Sequence, residues 1–358
     1  MYNNYTMSYS ISKSEKIIVE YIWLGLDNEL FSKVRILSAR QLVQNRSSDY
    51  IDYKEIPDWD FDGSSTNQAT TEASEVILKP CALYKNPFHK GLQSFFVLCS
   101  TYSPDGQPLD SNSRHNAKNI FQEEAVISQD IWFGIEFEYM MYSKTMGIPI
   151  TSESEIESSE SKRTNYCSPV STGRNIVEEH MIMCLDAGIG YDGYNSEVVA
   201  SQWEYQIFGK GIAVADQSII ARYILDCVAD KYDIFINWHP KPFPDKNGQG
   251  KHVNCSTKAM REPGGIAAIY DAVQRLDEAH DEHMKVYGKY NELRLTGKHE
   301  TSSFSKFTSG VANRTASVRI GSRTAKAGCG YFEDRRPASN ADEYLVTAKL
   351  AETILLTK

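Results

Sequence analysis

A chain of 358 residues, 41% hydrophobic, 24% charged and 11% aromatic, has the makeup of an ordinary folded protein of two or three domains and excludes a disordered or fibrous one. Its 47 acids and 38 bases leave a net charge of -9, which disfavours a nucleic-acid partner. No apolar run reaches the roughly 20 residues that a membrane helix needs, and the first twenty residues lack the unbroken apolar stretch of a secretory signal, so a cytoplasmic location with no membrane partner is expected.

The seven cysteines, Cys81, Cys99, Cys167, Cys184, Cys227, Cys255 and Cys329, are odd in number and contain no CxxC pair. Neither a disulfide framework nor a zinc ribbon is expected. In chain order, the first 110 residues carry short β-like runs at 17–24, 34–37 and 95–98, with no strong helix. Ser103-Pro104-Asp105-Gly106 reads as a turn, and the polar SNSRHN at 111–116 as a boundary. Beyond it strands alternate with helices predicted at 174–187, 216–231, 265–287 and 341 to the end, with Gly188 as a C-cap. The Ser/Glu-rich stretch 151–162 has the composition of a mobile loop. The expected class is α+β: a small β-rich domain over 1–110, then a larger mixed domain over 111–358.

The chemistry-bearing residues sit in separate runs. In WFGIEFEY, 132–139, Glu136 and Glu138 are two apart and share one face of a strand. The apolar Trp132, Phe133, Ile135, Phe137 and Tyr139 make that strand too hydrophobic for an open edge, so its two carboxylates need a cation. A second acidic pair is Glu197 and Glu204. His252 follows the glycine-rich NGQGK, whose amides can approach an anion, and YFEDRRP places Glu333 beside Asp334, Arg335 and Arg336. Carboxylates with one imidazole suit Mg2+ or Mn2+ better than zinc.

From Arg294 to Arg336 there are nine Lys or Arg against three acids. These cations, interleaved with Gly, Ser, Thr and Asn, read as an anion-binding surface. Together with the acids they point to metal-assisted phosphoryl transfer. His280 and His283, three apart, read as a solvated helix face, and His239 before Pro240 as structural. No GxxxxGK[ST] phosphate loop, no GxGxxG after a strand and no GxSxG elbow is present.

DWDFDGSST at 58–66, WFGIEFEY, NSEVVASQWEYQ, KPFPDKNGQGKHVNCSTKAMR, RLTGKHETSSFSKFTSGVANRTASVRI and GYFEDRRPASN resemble, in order, glutamine synthetase of the eukaryotic type. The resemblance spans roughly residues 20–355. It implies a β-grasp-like N-terminal domain, then a catalytic domain with an antiparallel sheet and flanking helices. It implies ATP-dependent ligation of glutamate and ammonia through a γ-glutamyl phosphate, a step of nitrogen metabolism. One Mg2+ or Mn2+ would be held by Glu138, Glu197 and Glu204, and a second by Glu136, His252 and Glu333.

By the same resemblance ATP would lie against Trp132 and near Asn254, Ser256, Arg314, Arg319 and Tyr331. Glutamate would meet Asn247, Gly248, Arg294 and Arg335. Glu300 is the expected flap acid, Arg314 would sit near the transferring phosphoryl group, and Asp62 and Ser65 would serve the ammonium site of a neighbouring subunit. Stacked rings with active sites between subunits imply a homo-oligomer. The chain departs from the family pattern at Phe137, where Gln is usual, at 165–172, and at Lys246, where Trp is usual. Phe137 faces away from the carboxylates and is expected to alter packing. Two alternatives stand beside the ligase: a non-catalytic structural relative, and a superfamily ligase using a different amine.

Overall fold

The computed structural model describes residues 8–12, 16–42, 50–151 and 165–357. Of the Ser/Glu-rich stretch only Thr151 is among them, so the expected mobile loop lies outside the described residues. Two compact units divide after Asn116, with Met183–Ile189 clustering with the first.

In the first unit, β1 (Tyr9–Ser10) pairs with β4 (Tyr50–Ile51). The main sheet contains β2 (Lys16–Leu24), β3 (Leu30–Ser38), β5 (Trp59–Asp62), β6 (Glu75–Lys85) and β7 (Ser94–Tyr102), in the order β3-β2-β7-β6-β5. The β2/β7 pair is parallel and the other pairs are antiparallel. The predicted β-like runs all fall inside these strands. Alternation along β2 sends Ile17, Val19, Tyr21 and Trp23 into one core with Val76, Leu78 and Val97, each large side chain contributing about 1.5–3 kcal/mol by leaving water.

The second unit is built on an eight-stranded sheet. Its strands are β8 (Trp132–Ser143), β9 (Tyr191–Ser196), β10 (Gln202–Lys210), β11 (Ile234–Asn237), β12 (Lys251–Ser256), β13 (Ser309–Val311), β14 (Val318–Ile320) and β15 (Phe332–Asp334). The order is β13-β14-β15-β12-β8-β10-β9, with β11 also on β8, and every pair is antiparallel except β13/β14. Strand β8 is therefore interior, as its apolar sequence demands. Phe133, Ile135, Phe137 and Tyr139 point to its fully buried side.

Phe137 stacks on Tyr205 at 4.7 Å and 5°, so the departure from the family residue is absorbed in packing. Behind the same sheet, Lys251 Nζ donates to Glu343 Oε1 over 2.6 Å and Arg222 Nη1 lies 3.3 Å from Glu343 Oε2, all three buried. This charged triad joins β12 to the helices Ala213–Asp230 and Glu343–Leu355.

The two units divide after Asn116, at the end of the polar SNSRHN where a boundary is expected, and Ser113–Gln122 is helical, the Asn112 side chain accepting from His115 N at 3.2 Å. One expectation needs correction. The single helix expected over 265–287 is two, Ile266–Glu278 and His280–Met284, broken at Ala279. The break turns His280 and His283 inward. His283 lies between Tyr287 Oη at 2.6 Å and Thr353 Oγ1 at 2.9 Å, and His280 Nδ1 lies 3.1 Å from Arg336 Nη1. Both imidazoles are buried, so that face is not solvated. Arg336 itself is fully buried against Asp334 at 2.7 Å, and this polar network is what draws the histidines in.

Candidate functional site

One face of the second unit's sheet opens on a cavity of ≈ 630 Å³ whose lining lies wholly within that unit. Pleating sends Trp132, Gly134, Glu136 and Glu138 of β8 into it. Cross-strand register then supplies their neighbours. Glu204 of β10 is opposite Glu138, Gln206 and His252 flank Glu136, and Asn254 is opposite both Gly134 and Glu333.

The six expected ligands fall into two sets. Glu136, His252 and Glu333 form one, Glu138, Glu197 and Glu204 the other, and within each set one ligand atom per residue lies within 4.8 Å of the others. His252 Nδ1 is 3.2 Å from Glu136 Oε2 and 3.7 Å from Glu333 Oε1, while Nε2 is 3.8 Å from Glu138 Oε1. The imidazole thus sits between the sets.

Neutral donors orient the carboxylates. Gly250 N donates to Glu138 at 2.7 Å, Asn254 Nδ2 to Glu136 at 2.9 Å, Gln206 Nε2 to Glu204 at 2.8 Å and Asn195 Nδ2 to Glu197 at 3.0 Å. Glu333 differs, being held by Arg335 at 2.6 Å and Arg319 at 3.2 Å. The glycine-rich loop before His252 does bring an amide to an anion, and the anion is the protein's own Glu138.

Burial and crowding set the protonation. Glu197 is pushed up to about 8, first by desolvation and then by the charge of Glu138. Glu204 is raised well above the usual range by burial and by Glu136, Glu138 and Glu197, and Glu136 is raised by burial. His252 is depressed to about 4, by burial first and then by Arg335, which keeps the imidazole neutral and its lone pair available. Carboxylates that resist ionisation beside a neutral imidazole are a hard-cation donor set: a divalent ion replaces the missing countercharge.

The remaining expected residues divide by place. Arg294 is buried and lowered to about 10 by desolvation. Its guanidinium donates to the carbonyls of Arg335 at 2.8 Å and Arg336 at 3.1 Å, which makes it a brace for the strand end carrying Glu333 and Arg335. Asn247 and Gly248 line the cavity on a loop held by Gln202 Nε2 donating to Gly248 O at 2.9 Å. Ser256 and Tyr331 line it too, Ser256 Oγ donating to Gly330 O at 2.6 Å.

Glu300 lies at the cavity with φ 62, beside His299 at φ 52, both in the left-handed region. Arg314 Nη2 is 4.0 Å from Glu300 Oε2. Asp62 and Ser65 belong to the first unit, on an exposed turn where Asp62 Oδ1 accepts from Ser64 N at 3.0 Å and Oδ2 lies 3.4 Å from Ser65 Oγ. Sequence reasoning missed Gln206, Asn195, Arg261 and Phe208, all cavity residues. Gln206 and Phe208 were findable as the positions two and four beyond Glu204 on one strand face; Arg261 had no local signal.

Comparison with known proteins gives one consistent result. The family model described as "Glutamine synthetase, catalytic domain" matches residues 110–276. The chain is 45% identical over 355 residues to glutamine synthetase cytosolic isozyme 1-1 of Oryza sativa subsp. japonica, covering 96% of each. It is 45% identical over 353 residues to the nodule isozyme of Lupinus luteus, again 96% of each. Among solved structures, a cryoEM Plasmodium falciparum glutamine synthetase aligns with a TM-score of 0.72 and 18% identity, over 94% of this chain and 71% of that one; at that identity it establishes the fold.

Proposed function

We propose a mechanism for this chain from the premise that it belongs to the glutamine synthetase family. It is an ATP-dependent glutamate–ammonia ligase, and the observation that carries the mechanism is the facing of two acidic sets and an arginine wall in one cavity. A glutamate carboxylate does not condense with ammonia at neutral pH, because its leaving group is poor and the amine is protonated. The γ-carboxylate oxygen attacks the γ-phosphorus of ATP, ADP leaves, and the carboxylate becomes an acyl phosphate. Ammonia then attacks the carbonyl carbon, and phosphate departs with the bridging oxygen.

This chain's residues divide that work. Glu136, His252 and Glu333, and separately Glu138, Glu197 and Glu204, would hold two Mg2+ or Mn2+ ions, which neutralise phosphate charge when bound. Arg319 and Arg314 stabilise the charge spread over the transferring phosphoryl group. Arg335 and the loop at Asn247 and Gly248 bind the glutamate, with Arg294 holding Arg335 in place. Arg335 Nε is buried without a partner among the described residues, a donor left for an anion. Trp132, Asn254, Ser256 and Tyr331 frame the nucleotide.

Glu300, with Asp62 and Ser65 of a neighbouring subunit, attracts ammonium, and loss of its proton there yields the nucleophile. Closure of the Glu300 loop keeps water from the acyl phosphate. The chain works as a cytoplasmic homo-oligomer of stacked rings, residues 111–358 forming the catalytic domain and the β-grasp-like residues 1–110 completing a neighbour's site. All six ligand positions are filled, which counts against a non-catalytic relative. The small set of two carboxylates and a hydroxyl, Asp62, Glu300 and Ser65, suits ammonium over a bulkier amine. The test is phosphate release from ATP and glutamate with and without ammonium. Glutamine formation in its presence is expected, and its absence would overturn the reading.

A further inference from the structure

The loop that carries Glu300 is the tip of a short antiparallel hairpin. Phe304 N donates to Leu295 O at 2.8 Å, Thr296 pairs with Ser303, Gly297 N donates to Ser302 O at 3.1 Å, and Thr301 N closes the turn on Lys298 O at 3.2 Å. A two-stranded hairpin is marginal by itself in water. What holds its two roots therefore decides where Glu300 sits.

Both roots are tied to Arg335 and Arg336, the residues that follow β15. At the first root the Arg294 guanidinium donates to Arg335 O and Arg336 O. At the second, Phe304 O lies 2.9 Å from His280 Nε2, and His280 Nδ1 faces Arg336 Nη1 at 3.1 Å. An arginine side chain has donors only, so Nδ1 accepts and the ring proton sits on Nε2, where it is donated to the carbonyl. The guanidinium is itself fixed, Nε and Nη2 donating to Asp334 at 2.9 and 2.7 Å. The Phe307 ring covers the joint: its centroid is 5.0 Å from Arg336 Cζ and 6.0 Å from that of the buried His280 ring.

We propose that His280 is a positioning residue for the ligase reaction. By donating from Nε2 to Phe304 O it locks the second root of the Glu300 hairpin to the Asp334 and Arg336 pair, and so to the strand that bears Glu333 and Arg335. At the tip, Glu300 O lies 3.5 Å from Arg335 Nη2, so the loop acid and the strand end meet again at the cavity. The proposal rests on the role given to Glu300 above and assigns what holds that acid in place.

The test compares His280→Asn with His280→Gln in the full-length protein. Asparagine keeps an acceptor near the position of Nδ1 and is too short to reach Phe304 O. Glutamine brings an N–H to the position of Nε2, while Arg336 Nη1 retains Leu276 O at 3.4 Å. Amide hydrogen exchange over residues 295–304 should be about fivefold faster in His280→Asn, the effect of losing one hydrogen bond of about 1 kcal/mol, and more phosphate than glutamine should appear. His280→Gln should return both readings to the parent's, with Mn2+ affinity unchanged in both variants. Parent-like exchange and a phosphate-to-glutamine ratio of one in His280→Asn would overturn the proposal, as would equal losses in the two variants. A parent protein that makes no glutamine would overturn the ligase reading, and the exchange comparison would still decide whether His280 holds the hairpin.

Discussion

Gly250 and Glu138 are bonded to each other twice: Gly250 N donates to the Glu138 side-chain Oε2 at 2.7 Å, and Glu138 N donates to Gly250 O at 3.1 Å. The contact fixes both the backbone and the carboxylate of the residue nearest the junction of the two acidic sets. It also explains the glycine, because a Cβ at 250 would come within 2.6 Å of both Arg294 Nη2 and His252 Nε2. Gly250→Ala must displace the His252 imidazole and the Arg294 guanidinium together. Mn2+ affinity, read by electron paramagnetic resonance, should fall about 10- to 100-fold, the usual cost of disturbing groups that orient ligands. Affinity equal to the parent's would show that the loop does not position the site.

The Lys251–Glu343–Arg222 triad gives an ordering. Glu343 is the shared anion, so Glu343→Gln removes the carboxylate that both buried cations contact, whereas Lys251→Met leaves Glu343 still paired with Arg222. Breaking a buried pair in this way costs about 3–5 kcal/mol. Urea denaturation should show Glu343→Gln as the more destabilised of the two; the reverse order would mean that the triad is not organised around Glu343.

Stability should depend on pH through His180. This imidazole is fully buried among Tyr191 and Tyr205, its Nε2 2.9 Å from Ala221 O, and desolvation depresses it to about 4. The unfolded chain takes up the proton near 6.5 while the native state resists it until about 4. Native stability is therefore lost as pH falls through that window and is full above it, by roughly 3 kcal/mol from this one group. His180→Gln keeps an amide donor for Ala221 O and cannot titrate. The free-energy gap between parent and variant should narrow from pH 7 to pH 4, and a constant gap would refute the assignment.

Glu300→Ala separates the two half-reactions. The acyl phosphate should still form, but ammonium capture and water exclusion should weaken, so more phosphate than glutamine appears. A ratio that stays at one with undiminished turnover would make Glu300 a surface loop acid.

The pairing of Glu136 with Glu138 was legible because a period of two puts both on one strand face whatever the tertiary context. The same rule explains EDRR: Glu333 and Arg335 line the cavity, while Asp334 and Arg336 point the other way, into the fully buried network. Adjacency in sequence concealed that division of labour until β15 had a register. His280 and His283 were misread because, Tyr287 apart, their partners, Phe304 O, Arg336 and Thr353, lie 24 to 70 residues away, and helical spacing does not reveal which polar face is covered. Lys251 and Glu343, 92 apart, left no local trace either.

The central claim is that glutamate is activated by its own γ-carboxylate attacking ATP, and isotope transfer tests it most directly. Glutamate labelled with 18O in the side-chain carboxylate should be turned over with unlabelled ATP and ammonium, and the released phosphate analysed by mass spectrometry. The mechanism predicts one glutamate-derived oxygen in each phosphate formed with glutamine. Glutamine accompanied by phosphate carrying no 18O would contradict it.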